Sequence, residues 1–181
     1  MAAPSSPVGP GAVTLRIGHG LDAHRFTAGR PLMLGCVPIR SERGLAGHSD
    51  GDAAAHALAD ACLGAAGLGT MGDHFPSSDE RWRGTSGREF LELVAAALAA
   101  VGARMLSAQV VVVCSEPRLG PWFPAMATAM ADALGLPAGA ISVGATSGDG
   151  LGDVGRGEGV LASAVALLDL GSAARFGGDD S

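Results

Sequence analysis

The sequence has few cysteines, few aromatic residues and little charge. It contains only Cys36, Cys62 and Cys114 in 181 residues, it lacks tyrosine, and 17% of its residues are charged. An odd number of widely spaced cysteines indicates neither a disulfide framework nor a CxxC metal site, and it fits the reducing cytoplasm. The formal net charge of -6 and the scattered arginines provide no basic stripe, so nucleic acid is not an expected partner.

Long apolar runs and targeting segments are also lacking. No uninterrupted apolar stretch reaches the roughly 18 residues that span a bilayer, so no membrane partner is expected. Residues 1–14 have neither the positive charge nor the apolar core of a signal peptide, which predicts a flexible extension. With 48% hydrophobic residues, the chain suits one soluble cytoplasmic domain over residues 15–170, followed by a flexible tail over residues 171–181.

Metal-binding side chains are concentrated in one short part of the chain. Asp22 and His24 are two positions apart, so in an extended segment both side chains point to the same side. His56 lies in a predicted helix and can join them. Three ligands of mixed oxygen and nitrogen type are typical of a catalytic zinc site, which keeps a fourth position open. The pattern predicts a site for zinc or another divalent transition metal.

Each fragment of this pattern also has a simpler interpretation. A D-x-H pair occurs by chance, and a lone helical histidine is commonly a satisfied core or surface residue. Ser49 or Asp50 can serve only to cap the helix. The metal interpretation gains support from Asp52 and Asp60, which lie four residues before and after His56, because a carboxylate there can hold the second imidazole nitrogen.

The order of the predicted elements indicates an α/β or α+β domain with one mixed sheet and helices on one face. A capping box formed by Ser86 and Glu89 marks the start of the clearest helix. The first strand is expected to end at Asp22, and the apolar stretch before Leu170 has no assignable period. The predicted elements are strands at 14–21, 109–114 and 141–145, an extended segment at 31–39 interrupted by Gly35 and Pro38, helices at 52–66, 86–101 and 123–134, a loop at 70–84 and a turn at 116–121.

A second chemical signal follows the strand predicted at 141–145. Thr146, Ser147 and Gly148 form a small-residue loop whose backbone N–H groups and hydroxyls can approach a phosphate. Asp149 beside it can hold Mg²⁺ or Mn²⁺. A glycine-rich loop can equally be a plain turn. The chain has no P-loop or dinucleotide-binding motif, and no Ser-His-Asp or Cys-His set is indicated, so covalent catalysis is not favoured.

Several motifs together resemble the 2-C-methyl-D-erythritol 2,4-cyclodiphosphate synthase family of the non-mevalonate isoprenoid pathway. The resemblance extends from about residue 15 to residue 169, and its first two motifs are highly specific. The motifs are R-I-G-H-G-L-D-A-H ending at His24, H-S-D-G-D beginning at His48 and continuing to His56 and Asp60, F-P at 75–76, E-P-R-L-G-P at 116–121 and G-R-G-E-G at 155–159.

The resemblance implies a homotrimer in which a mainly four-stranded mixed sheet of each subunit faces inward, with three active sites between neighbouring subunits. The substrate would be 4-diphosphocytidyl-2-C-methyl-D-erythritol 2-phosphate, a cytidine diphosphate compound. Its 2-phosphate attacks the β-phosphorus, closes a cyclic diphosphate and releases CMP, so the enzyme would be a phosphorus–oxygen lyase. Zinc would be held by Asp22, His24 and His56, and Mg²⁺ or Mn²⁺ by Asp149.

The resemblance also assigns roles to further residues. Those matching His48 and Ser147 help to stabilise the transition state in the family. Residues matching 114–120 form a cytidine pocket, and those matching 70–72 and 75–79 contact the ribose and the methylerythritol portion. The implied substrate contacts are Ser49, Thr70, Met71, Gly72, Phe75, Pro76, Ser77, Ser78, Asp79, Cys114, Ser115, Glu116, Pro117, Arg118, Leu119, Gly120, Thr146, Gly148, Asp153 and Arg156.

The chain departs from the usual family pattern at several of these positions. Thr70 replaces an aspartate that binds ribose hydroxyls, and Ser77 replaces one that contacts the polyol. The loop at 146–149 reads Thr-Ser-Gly-Asp instead of Thr-Thr-Thr-Glu, and Asp153 replaces a bulky apolar residue. Two alternatives therefore stay open: a diverged paralogue acting on another cytidylyl or phosphorylated polyol, and a noncatalytic trimeric metal- or nucleotide-binding protein.

Overall fold

A computed structural model of the protein describes residues 13–171, and the predicted flexible segments 1–14 and 171–181 lie almost wholly outside the described residues. The strands are β1 (Leu15–Ala28), β2 (Leu32–Leu34), β3 (Val37–Ile39), β4 (Arg43–Leu45), β5 (Arg104–Val113), β6 (Ile141–Thr146) and β7 (Gly159–Asp169). The helices are α1 (Ala53–Ala66), α2 (Met71–His74), α3 (Gly87–Ala100), α4 (Phe123–Ala133) and α5 (Gly152–Gly155), with single 3₁₀ turns at Glu80–Trp82 and Gly120–Trp122.

The strands form a five-stranded sheet in the order β4-β1-β7-β5-β6, and β2 pairs with β3 as a separate hairpin. β1, β7 and β5 are antiparallel neighbours, whereas β6 runs parallel to β5. On one face α1 packs on β1 and β7, α4 packs on β6, and α3 packs against both helices. The predicted α+β fold is therefore confirmed, with four longer strands, a short fifth strand at the edge and helices on one face.

The two faces of the sheet differ in what covers them. In β7 the even-numbered residues from Val160 to Leu168 are buried beneath the helices. The opposite face, called the open face below, carries Ile17, Leu21 and Val165, whose side chains are 70%, 55% and 42% exposed. Because apolar residues occupy both faces of β7, its sequence lacks the polar alternation that reveals a strand. This is why no element could be assigned there from the sequence.

Two glycines allow α1 to lie directly against β1. A Cβ atom on Gly18 would lie 1.9 Å from the Ala61 carbonyl oxygen, and one on Gly20 would lie 2.0 Å from that of Ala57. Real side chains do not come so close, so only glycine permits this approach of helix to strand. The contact brings the first two turns of α1, including His56, over the even-numbered side chains of β1.

The start of α1 is fixed by a residue other than the predicted caps. Asp52, not Ser49 or Asp50, is the N-cap, and its carboxylate accepts the Ala55 N–H at 3.0 Å. The same buried carboxylate accepts the N–H groups of Gly35 and Cys36 at 2.8 and 2.6 Å. It therefore ties the turn between β2 and β3 to the helix, because a buried carboxylate must be satisfied by donors.

Several predicted boundaries are wrong for identifiable reasons. β1 continues past Asp22 to Ala28 because β7 and β4 supply partners along its whole length. The extended segment at 31–39 is interrupted at Gly35 as predicted, where Gly35 and Cys36 adopt positive φ and form a tight hairpin, but Pro38 lies within β3 and does not interrupt it. The predicted loop at 70–84 contains α2 and a 3₁₀ turn, and β5 begins at Arg104 rather than 109. Within residues 13–171, no helix is both long and apolar enough to cross a membrane.

Candidate metal and substrate site

Asp22, His24 and His56 converge on one point between β1 and α1. The Oδ2 atom of Asp22 lies 2.9 Å from His24 Nε2 and 3.0 Å from His56 Nδ1, and the two ring nitrogens are 3.3 Å apart. One potential ligand atom from each residue thus lies within 4.8 Å of the others. Asp22 and His24 lie on one strand and His56 lies on a helix, which is the arrangement that the sequence predicts.

The second nitrogen of each imidazole is occupied by another partner. His24 Nδ1 lies 2.6 Å from the Ala46 carbonyl oxygen, and because a carbonyl only accepts, Nδ1 carries the proton and the Nε2 lone pair is free for a cation. His56 Nε2 lies 3.4 Å from Ser49 Oγ and 4.0 Å from Asp50 Oδ1. Such partners orient the rings of metal-binding histidines.

The predicted carboxylate partner of His56 was therefore misassigned. Asp52 caps α1, and Asp60 Oδ1 accepts the Met71 N–H at 2.7 Å. The four-residue spacing places Asp52, His56 and Asp60 on one side of α1. The Asp52 carboxylate, however, caps α1, and that of Asp60 accepts the first N–H of α2. Ser49 and Asp50 from the preceding loop approach the His56 ring instead.

The Asp22 carboxylate and the imidazoles beside it shift the pKa values of Asp22 and His24. Burial raises the pKa of Asp22, but hydrogen bonds and charge interactions with His24 and His56 outweigh it and leave that pKa well below its ordinary value. Burial lowers the pKa of His24. The hydrogen bond to Asp22, the charge of Asp22 and the hydrogen bond to the Ala46 carbonyl together outweigh burial and raise that pKa. Asp22 and His24 therefore each favour the charged form of the other.

The trio forms one wall of a cavity of about 320 Å³. The other predicted site residues that line it are His48, Ser49, Met71, Gly72, Phe75 and Ser77. An aromatic wall of Phe75, Trp82 and Phe90, whose ring centroids are 4.9–6.1 Å apart, also lines it, and the Phe90 ring packs edge-on against His56 at 5.6 Å. The complete lining is Asp22, His24, His48, Ser49, His56, Asp60, Met71, Gly72, Phe75, Ser77, Trp82 and Phe90.

Two lining residues, Phe90 and Trp82, are not assigned to the site by the sequence. Phe90 belongs to an apolar helix face and Trp82 to a predicted loop, whereas Asp60 is predicted as a partner of His56. Only Trp82 carried a signal, as a large aromatic residue in a polar segment. In the structure Trp82 Nε1 and His48 Nε2 are both buried without a hydrogen-bond partner. Buried polar groups are almost always paired, so two unpaired nitrogens beside one cavity indicate a ligand.

A second group of predicted residues lies together elsewhere in the chain. The Cys114 N–H donates to the Thr146 carbonyl at 2.9 Å, a Cβ on Gly148 would be 3.2 Å from Gly155, and one on Gly157 would be 3.0 Å from Ser115 Oγ. Glu116, Pro117 and Arg118 line a cavity of about 410 Å³ with residues 41–43, and Ser147, Asp149, Leu119 and Gly120 adjoin this group in sequence. None of these residues lines the trio's cavity.

The charged residues near the second group are engaged with one another. Arg156 donates to Glu158 Oε1 at 3.2 Å and also to the Asp153 carboxylate. Asp153 and Glu158 line a cavity of about 240 Å³ that His24 also lines. Asp149 has a positive φ of 50° and is exposed in its loop. It presents one carboxylate to solvent rather than to the trio.

The departures at positions 70 and 77 have different structural consequences. Thr70 caps α2: its N–H and its hydroxyl each donate to Asp73 Oδ2 at 2.8 Å. These hydrogen bonds lower the pKa of the exposed Asp73 carboxyl. Ser77 lines the cavity, while Pro76, Ser78 and Asp79 lie beside it in the same segment. Asp79 pairs with Arg81 at 2.6 Å.

The cysteines follow the sequence expectation. All three are free, and burial raises the pKa of Cys62 to about 12 and that of Cys114 to about 11. A thiol that stays protonated at neutral pH is a poor nucleophile. These values agree with the absence of a Cys-His pair in the sequence.

Comparison with known proteins identifies close relatives. A model described as the YgbB family matches residues 15–169. The 2-C-methyl-D-erythritol 2,4-cyclodiphosphate synthase of Symbiobacterium thermophilum is 48% identical over 152 residues, which are 84% of this chain and 97% of that protein.

Solved structures show the same similarity. A 2C-methyl-D-erythritol-2,4-cyclodiphosphate synthase described as its CDP-bound form is 42% identical with a TM-score of 0.78, over 85% of this chain and 100% of that one. The bifunctional IspDF from Campylobacter jejuni is 35% identical with a TM-score of 0.84, over 87% of this chain and 43% of that one.

Proposed function

The chain belongs to the YgbB family, and we infer that it converts 4-diphosphocytidyl-2-C-methyl-D-erythritol 2-phosphate to the cyclic 2,4-diphosphate with release of CMP. The observation that carries this inference is the convergence of Asp22, His24 and His56 in the cavity that also presents His48. Relatives named as this synthase match most of the chain. An enzyme is therefore favoured over a noncatalytic binding protein.

Zinc fits the residues present at the trio. The donor set is two imidazoles and one carboxylate, the combination found in catalytic zinc sites that keep an open position. Both rings have their second nitrogen held by Ala46 or Ser49, which fixes the nitrogen that would face the ion. Zinc bound there, or another divalent transition metal, would act as a Lewis acid toward a phosphate oxygen.

A second ion, Mg²⁺ or Mn²⁺, is proposed at Asp149. This ion type uses few protein ligands and takes the remainder from water and substrate phosphates, so a single exposed carboxylate in a small-residue loop is compatible with it. Thr146, Ser147 and Gly148 precede that carboxylate, and two of them offer hydroxyl donors to a phosphate. The loop would then bind the diphosphate, and the Ser147 hydroxyl would stabilise its developing charge.

A homotrimer would combine the two groups of site residues. The trio's cavity and the Cys114–Gly120 turn are separate within one chain. Pairing the cavity of one subunit with the turn and the 146–149 loop of its neighbour would form a complete site for a nucleotide diphosphate. The exposed apolar residues of the open face support association through the sheets.

The chain needs no nucleophile of its own in this reaction. An oxygen of the substrate's 2-phosphate forms the bond to the β-phosphorus, and the bond from that phosphorus to the bridging oxygen breaks. CMP leaves with the bond's electron pair on its phosphate. Holding both phosphates of one molecule in reacting geometry can supply about 7–11 kcal/mol of the barrier, and His48 would donate a hydrogen bond to the charge that develops.

The aromatic wall gives the rest of the cavity its role. Phe75, Trp82 and Phe90 present an apolar surface beside the trio, which suits the methyl-bearing carbon skeleton of the substrate and would exclude water from the phosphates. Thr70 and Ser77 lack the carboxylates that would bind sugar and polyol hydroxyls. We therefore assign these two changes to substrate affinity, since neither touches the trio.

Product analysis tests this function directly. Purified protein would be incubated with the methylerythritol substrate, Zn²⁺ and Mg²⁺, while CMP release is followed by chromatography and the ring product by phosphorus NMR. Equal amounts of CMP and cyclic diphosphate are expected. CMP released with an open-chain product would favour the diverged paralogue, and tight CDP binding without turnover would contradict an enzymatic role.

A further inference from the structure

The loop that carries His48 is held by Arg30, a side chain just beyond β1. Its Nη1 donates to the Gly47 carbonyl at 2.7 Å, and its Nη2 donates to the Ser49 carbonyl. These carbonyls belong to the residues immediately before and after His48. One guanidinium therefore brackets the residue that would stabilise the transition state.

The neighbouring carbonyls of the loop are also engaged. The Ala46 carbonyl accepts from His24 Nδ1 at 2.6 Å, and the His48 carbonyl accepts the Gly84 N–H at 2.9 Å. Four consecutive carbonyls, from residue 46 to residue 49, thus accept hydrogen bonds from three different parts of the chain. The orientation of each peptide in this loop is fixed by these contacts.

The His48 side chain depends on this backbone arrangement. Its Nε2 atom is buried and has no hydrogen-bond partner, so that nitrogen does not anchor the ring. The neighbouring Ser49 hydroxyl accepts the Gly51 N–H at 3.2 Å and faces His56 Nε2. The same loop therefore contacts two of the metal-binding residues and presents the His48 imidazole to the cavity.

We propose that Arg30 is a positioning residue for the reaction, holding residues 47–49 so that the His48 imidazole faces the substrate phosphates beside the trio. The proposal rests on the proposed function. Arginine suits this task because its planar guanidinium offers donors in a fixed fork, which can reach two carbonyls two residues apart. Lysine offers a single point charge on a flexible stem and cannot reproduce the bracket.

Kinetics of Arg30→Met and Arg30→Lys provide the first test. We expect kcat to fall about 100-fold in Arg30→Met, because a small displacement of a catalytic group has an effect of that order. Arg30→Lys should recover only part of the loss, and zinc content should remain one ion per chain in both. The matched control is Arg88→Met, which removes an arginine paired with Glu92 at 3.7 Å within α3 and should retain wild-type kcat.

A double-mutant cycle with His48→Ala separates positioning from general destabilisation. If Arg30 acts through His48, adding Arg30→Met to His48→Ala should reduce kcat by less than about twofold, since the group it positions is already absent. Independent roles would give multiplied losses instead. Multiplied losses in the double variant, or wild-type kcat in Arg30→Met, would overturn the proposal.

Hydrogen exchange tests the same contact without any substrate. In Arg30→Met the amides of residues 46–51 should exchange at least about tenfold faster than in the wild type, while those of β7 stay unchanged. Unchanged exchange of these loop amides would refute the claim that Arg30 holds the loop. A wild-type protein that forms no cyclic product would instead refute the proposed function, and the exchange result would still decide whether Arg30 holds the loop.

Discussion

At the residue scale, the site depends on which nitrogen of each histidine faces Asp22. The Ala46 carbonyl fixes the proton of His24 on Nδ1, and the loop before α1 occupies Nε2 of His56. The sequence predicts the three ligands from their spacing alone. It does not predict their orienting partners, because Ala46 contributes only a backbone carbonyl and any residue type has one.

Replacing one ligand should remove the ion. In His56→Ala we expect bound zinc to be lost and turnover to fall more than about 100-fold, since loss of even an orienting partner outside the ligand set commonly reduces metal affinity or activity by 10–100-fold. Metal analysis after dialysis and CMP release measure the two effects. His74→Gln is the control, because His74 Nε2 donates a hydrogen bond to the Leu68 carbonyl and His74 does not line the cavity. Full zinc content in His56→Ala would refute the ligand assignment.

The pH dependence of the metal-free protein follows from the two shifted pKa values. Asp22, whose pKa is lowered on folding, stabilises the fold above its ordinary value of 3.8 and loses this effect as pH falls. His24, whose pKa is raised, stabilises the fold fully below 6.5 and loses this effect as pH rises through the raised value. The pair should therefore stabilise the metal-free fold most between pH 3.8 and 6.5.

Thermal unfolding with a chelator measures this effect. The Tm of the metal-free protein should decline as pH rises from 6.5, and His24→Gln should lack that part of the decline. With saturating zinc the trend should reverse, because protons compete with the metal for His24. Parallel Tm profiles for the wild type and His24→Gln without metal would contradict the predicted coupling.

At the element scale, the site exists because α1 lies directly on β1. The sequence predicts both elements, and Gly18 and Gly20 are visible in it. The need for glycine becomes clear only from the helix contact, where a Cβ at these two positions would lie 1.9 and 2.0 Å from carbonyl oxygens of α1. β7 could not be predicted, because a central strand with apolar side chains on both faces has no polar period.

Gly20→Ala should separate these two elements. Forcing a methyl group into that contact should lower the free energy of unfolding by at least about 1–3 kcal/mol and weaken zinc binding, because His56 would move away from Asp22. Denaturant unfolding and zinc titration measure both changes. The control is Gly64→Ala on the exposed side of α1, where nothing lies within 4 Å; it should stabilise the helix by about 1 kcal/mol. Wild-type stability in Gly20→Ala would contradict the packing account.

At the scale of the whole molecule, two groups of site residues lie apart within one chain. The family motifs predict both groups and their joint use, but local sequence patterns cannot place residues of one subunit beside those of another. The turn at 116–121 and the loop at 146–149 have no periodic or capping signal that links them to the trio. Their pairing with the cavity is therefore a proposal about assembly.

Charging the open face should test that assembly. The Ile17 side chain is 70% exposed in one chain and would be buried between sheets in a trimer. Ile17→Asp would therefore bury an unpaired carboxylate in the trimer, which is energetically costly. Light scattering should show a monomer in place of a trimer, with loss of turnover. The control is Leu93→Asp: Leu93 lies on α3 and is 41% exposed, so this change should leave the trimer intact. A trimeric, active Ile17→Asp protein would exclude association through this face.

The most direct measurement for the whole account is anomalous diffraction at the zinc edge from crystals grown with zinc and CDP. The account predicts one zinc peak per chain, bonded to Asp22 Oδ2, His24 Nε2 and His56 Nδ1, with the diphosphate at its remaining position. A bound nucleotide whose phosphates lie beside the trio with no metal peak there, or a zinc peak held by other residues, would contradict it.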